Sequence, residues 1–109
     1  MDTNAILKHA DELFDDDRPQ EAGAYLRQMA EQAISERSYG TAMSLFNELT
    51  GYYRSVGDLD AAWRCVDKLI GLIDLLDLWG TSDAATAMLN IATVCKADGD
   101  PDSALAIYK

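Results

Sequence analysis

Basic residues are scarce: nine Lys and Arg stand against nineteen Asp and Glu, a formal charge of −10 over 109 residues. Such an acidic surface repels phosphate backbones and anionic headgroups, so neither nucleic-acid nor membrane binding is expected. Cysteine is limited to Cys65 and Cys95, thirty residues apart and in no CxxC pattern. They read as reduced, core-packing thiols of a cytoplasmic protein. One histidine, His9, excludes HExxH and His-rich metal centres, and with no CxxC pair a structural zinc site is excluded too. Two prolines and seven glycines are dispersed, so no linker divides the chain and one domain is expected. The start, Met1-Asp2-Thr3-Asn4, lacks a basic and apolar leader, and no apolar run of about 18 residues follows.

What is present is helical periodicity. Ala42, Leu45, Phe46, Leu49, Tyr52, Tyr53 and Val56 recur three and four apart, as do Leu59, Ala62, Val66, Leu69, Ile73 and Leu76. Strand-like alternation is absent, and Ala, Leu, Met, Glu and Gln, which lose little entropy in a helix, are abundant. The expected fold is all-α, with helices over roughly 3–15, 19–36, 39–56, 59–78, 83–98 and 101 to the end. Pro19 and Pro101 fit first turns, with nearby aspartates accepting from free amides. Gly57 and Gly99 fit left-handed helix caps.

Gly57-Asp58-Leu59-Asp60-Ala61-Ala62 recurs forty-two residues later as Gly99-Asp100-Pro101-Asp102-Ser103-Ala104, and a weaker version, Asp17-Arg18-Pro19-Gln20-Glu21-Ala22, lies forty earlier. Three copies are expected, over 3–36, 39–78 and 83–109. Ala22, Ala62 and Ala104 let two helices approach closely, and each helix pair keeps an apolar side for the next pair to cover. The third copy stops about nine residues into its second helix. That leads to the expectation of an amino-terminal portion of a longer array, with an uncapped apolar face near Met88, Leu105 and Ile107 that favours homo-oligomers.

These residues resemble the tetratricopeptide repeat family: small residues at helix crossings, an aromatic such as Tyr53 nine before the alanine, and a Gly-Asp turn. The first copy departs from the pattern, with Asp17 for the turn glycine and His9 for a large apolar residue. The spacing also exceeds the family's usual length of about 34, and is more similar to the extended repeats of kinesin light chains and bacterial regulators. The resemblance implies a right-handed superhelical solenoid of antiparallel helix pairs, binding a protein or peptide in a concave groove.

Projected onto this chain, groove positions are Asn4, Leu7, Lys8 and Asp11 in the first copy and Ser44, Asn47, Glu48, Gly51, Arg54 and Ser55 in the second. The third supplies Thr86, Leu89, Asn90, Thr93 and Lys96. Asn47 and Asn90 lead this set, because an amide donates and accepts and so matches a peptide backbone of any sequence. Arg54 and Lys96 could receive a carboxylate. The carboxylate clamp for chaperone tails is not expected, since Leu7, Asp11, Glu48, Thr86 and Asn90 occupy its positions.

No catalysis and no cofactor are expected. Phosphate-cradling glycine loops and the G-x-S-x-G elbow are missing, and the paired carboxylates Asp11 with Asp15 and Glu31 with Glu36 lack an apolar concavity around them. Asp98, Asp100 and Asp102 begin like a calcium loop, but Ser103 and Lys109 stand where it needs glycine and glutamate. Tryptophan and tyrosine without interleaved cations read as helix packing, not base stacking. The alternative is a structural module that self-associates or packs against a longer parent chain. It draws on Leu69 to Trp79, LIGLIDLLDLW, whose Leu72, Leu75 and Trp79 are expected to cover a neighbouring copy.

Overall fold

A computed structural model describes residues 2–97, apart from the side chains of Asp83 and Ala97. Five helices occupy these residues: α1 (Thr3–Asp15), α2 (Pro19–Ser35), α3 (Tyr39–Ser55), α4 (Leu59–Leu75) and α5 (Ser82–Ala97). No strand occurs among the described residues, so the fold is all-α there. The sixth expected helix, Gly99, Ala104 and the calcium-like aspartates lie outside the described residues.

Helices start where backbone amides find acceptors. The Asp2 carboxylate accepts from the Ala5 N–H at 3.1 Å, and Asp58 accepts from Ala61 at 3.2 Å. The Thr81 hydroxyl accepts from Ala84 at 3.3 Å; each satisfies an amide with no partner inside its helix. At Pro19 the expectation of an aspartate cap fails, because Arg18 is the capping residue and makes no side-chain cap bond. Asp17 is already committed to ending α1, and Arg18 instead forms an ion pair with Glu21.

The first four helices end alike. A residue with left-handed backbone follows each: Asp17 (φ 60°), Arg37 (61°), Gly57 (80°) and Asp77 (53°). The next residue's N–H then reaches back five positions. Arg18 donates to the Leu13 carbonyl at 2.9 Å, Ser38 to Ala33 at 2.8 Å, Asp58 to Tyr53 at 2.9 Å and Leu78 to Ile73 at 3.0 Å. This Schellman arrangement supplies donors to carbonyls that the helix leaves open. It also corrects the expected end of α4: the apolar pattern runs on through Leu78, but the left-handed Asp77 stops the helix at Leu75.

The left-handed positions 17, 37, 57 and 77 are twenty residues apart, and so are Ala22, Ala42 and Ala62, each with 0% exposure. A left-handed turn and a buried alanine thus recur with each of these helices, at half the spacing of the Gly-Asp-containing segments. The link between α4 and α5 is longer, running 76–81 where the others hold three residues.

The chain divides into two compact units, Met1–Leu49 and Thr50–Lys109. In the first, α1 packs on α2, burying Ile6, Ala10 and Leu13 of α1 and Ala22, Leu26, Ala30 and Ala33 of α2. The His9 ring meets Tyr25 edge-on at 4.6 Å, and His9 itself is exposed. The Thr3 and Thr41 hydroxyls are 2.6 Å apart and tie α1 to the start of α3. In the second unit α4 packs on α5 around Ala62, Val66, Ile91, Ala92, Val94 and Cys95, with Tyr53, Trp63 and Met88 partly buried against them. Cys65 and Cys95 are buried thiols.

Two stability measurements test this account. Ala62→Leu inserts volume where none is open and is expected to destabilise by about 1–3 kcal/mol, read from the urea midpoint. Arg37→Gly relieves a left-handed backbone and is expected to stabilise by about 1 kcal/mol, while Gly57→Ala imposes one and loses at least about 1 kcal/mol.

Candidate functional site

Helix α3 forms although Gly40, Thr41, Gly51 and two consecutive tyrosines are weak helix residues. Its stripe of buried Ala42, Leu45, Phe46 and Leu49 overrides that local preference. The expected site residues occur on the remaining surface. Ser44, Asn47, Gly51 and Arg54 follow at spacings of three, four and three, which a helix brings to one side. Ser44, Asn47 and Gly51 are half-buried and Arg54 is exposed.

Helix α5 carries the other four, Thr86, Asn90, Thr93 and Lys96, again at helical spacing. Thr86 and Lys96 are exposed, and Asn90 and Thr93 are half-buried. The Thr93 hydroxyl donates to the Asn90 carbonyl at 2.6 Å, and the Thr86 hydroxyl to the Ser82 carbonyl at 3.1 Å. With their protons turned to their own helix, these threonines present acceptor lone pairs outward. Asn47 and Asn90 are both engaged in interactions within the molecule. Ser44 and Asn47 belong to the first compact unit, whereas Gly51, Arg54 and the four α5 residues belong to the second.

The two cations have a local electrostatic role as well. Arg54 lies in the last turn of α3 and Lys96 in the last turn of α5, where the helix dipole and open carbonyls favour positive charge. Of the α1 positions, Asn4, Lys8 and Asp11 are exposed and Leu7 is half-buried.

Among the described residues no group of three or more His, Cys, Asp or Glu side chains could hold a metal ion, and no helix is long and apolar enough to cross a membrane. An open depression is lined by Asp17, Arg18, Pro19, Gln20 and Glu21, a single turn and helix start. Sequence reasoning missed a different surface. Leu75 is 63% exposed and Trp79 48% exposed, and only Leu72 of the expected covering trio is buried. The early stop of α4 is the cause: Leu75 is the last helical residue, and Trp79 falls in the link beyond it. A glycine following Trp79 was the available signal that the apolar run had left the helix.

Gly51 offers a separable test of the α3 surface. A Cβ built there meets nothing within 4 Å, so Gly51→Ala is expected to stabilise by about 0.5–1 kcal/mol through helix propensity alone, checked by urea unfolding.

No family model, no curated protein and no solved structure matches this chain.

Proposed function

We propose that this chain is a non-catalytic binding scaffold of tetratricopeptide-like character, continuing a right-handed solenoid of helix pairs and holding a protein or peptide partner on its helix faces. The observation that carries the reading is the even placement of helix ends and small buried residues. Left-handed turns at 17, 37, 57 and 77 and buried alanines at 22, 42 and 62 support an architecture built from stacked repeating units.

On this reading α3 contributes Ser44, Asn47, Gly51 and Arg54, and α5 contributes Thr86, Asn90, Thr93 and Lys96. Gly51 exposes helix backbone surface without a side chain, allowing a partner chain to come close. The asparagine amides match peptide N–H and C=O groups, and the cations at the helix ends receive a partner's carboxylates. The outward lone pairs of Thr86 and Thr93 favour donors on the partner.

The test is capture of proteins from cell lysate on the chain and on a variant with Asn47, Arg54, Asn90 and Lys96 all changed to alanine, with circular dichroism confirming equal helicity. Retained species are identified by mass spectrometry and their affinity is then measured. A partner that the variant binds about tenfold or more weakly supports the reading. Identical retention, or recovery of the chain alone, favours the structural, self-associating module instead.

A further inference from the structure

The end of α4 carries an apolar surface outside the faces assigned above. Helix α4 turns Leu69, Leu72 and Ile73 inward, while Ile70 is 36% exposed and Leu75 63% exposed, with Trp79 at 48% in the link that follows. Isolated exposed apolar residues are ordinary. Here, however, the indole N–H of Trp79 donates to the carboxylate of Asp74, which ties the link back onto α4. That bond occupies the one polar atom of the ring and leaves its hydrocarbon surface for contact. Gly71, one turn before Leu75, has nothing within 4 Å of an added Cβ, so a partner can approach the helix backbone there.

Charge decides the occupant. No Lys or Arg occurs between Lys68 and Lys96, an interval that includes Asp74, Asp77 and Asp83. Asp74 and Asp77 are exposed beside the apolar residues. A second copy of a chain with formal charge −10 would bring the same anions to the same rim, and nucleic acid or an anionic bilayer would bring phosphates. The complementary partner is apolar and cationic. We propose that Leu75 and Trp79, rimmed by Asp74 and Asp77, form a docking surface for an amphipathic helix of another protein whose polar face is rich in lysine or arginine. Apolar anchors at helical spacing on that partner cover Leu75 and Trp79, and its flanking cations meet the two aspartates. This surface is independent of the peptide-binding reading of α3 and α5.

The probe is a synthetic Leu/Lys peptide with leucines at helical spacing, compared with a Leu/Glu peptide of the same pattern. Binding to the whole chain is followed by Trp emission, with a Trp79→Phe variant identifying the contribution of Trp63. The expected result is a shift to shorter wavelength with the Leu/Lys peptide alone, and affinity about tenfold weaker in Leu75→Ser and in Trp79→Ala. Asp77→Lys, which reverses an exposed rim charge at a left-handed position of the kind that Arg37 fills after α2, should weaken the Leu/Lys peptide and strengthen the Leu/Glu peptide, with circular dichroism confirming unchanged helicity. A variant changing Asp15, Asp16 and Asp17 to asparagine removes charge elsewhere and should retain the binding. Equal binding of the two peptides, Leu75→Ser and Trp79→Ala variants that bind as the parent does, or insensitivity to Asp77→Lys would each overturn the proposal. So would a concentration-dependent emission shift without peptide that tracks dimer formation in sedimentation, since the occupant would then be a second copy.

Discussion

The left-handed residue that closes each of the first four helices is the constraint on which the rest depends. At 17, 37, 57 and 77 it reverses the chain within three residues in three cases, while the two following bonds give donors to helix carbonyls that would otherwise stand open. Because the reversal is short and recurs every twenty residues, Ala22, Ala42 and Ala62 reach equivalent depths in successive helices. Only one of the four positions is glycine. The others accept a backbone conformation unfavourable for L-residues, which packing of the adjoining helices must outweigh.

The same constraint explains how polar side chains are distributed. With helix carbonyls and amides satisfied by turns and caps, α3 and α5 turn their apolar stripes inward and keep Asn47, Arg54, Thr86, Asn90, Thr93 and Lys96 on the remaining surface, while Thr41 and Thr50 are buried. Some of that polarity is already in use locally. Thr86 and Thr93 donate to their own helix, and Arg54 and Lys96 occupy terminal turns that favour cations. Peptide recognition on these faces would draw on the same groups, with their outward lone pairs and charges.

The turn after α4 makes the local exception. Its left-handed Asp77 arrives in register, but the link continues through Trp79, Gly80 and Thr81 before α5 begins at Ser82. Leu75 and Trp79 are thereby left at the surface, and Asp74 fixes the indole through its N–H. An apolar pattern continuing past the end of a helix thus becomes surface instead of core, with Asp74 and Asp77 interspersed in its last turn and the link.

Sequence by itself determined the all-α class of the described residues and the starts of their five helices to within a residue or so, since apolar periodicity and capping chemistry are local properties. It also marked Gly57 as a left-handed cap, because glycine identifies that conformation. It did not mark Asp17, Arg37 or Asp77, since aspartate favours that conformation only weakly and arginine does not; in the folded chain the bonds that close each helix hold their backbone there. The candidate residues on α3 and α5 could be read as surface positions from their place off the apolar stripe. Where their hydroxyls point, how far α4 extends and that Trp79 stays exposed were decided in three dimensions, because each depends on which donors, acceptors and apolar atoms the folded chain brings within reach.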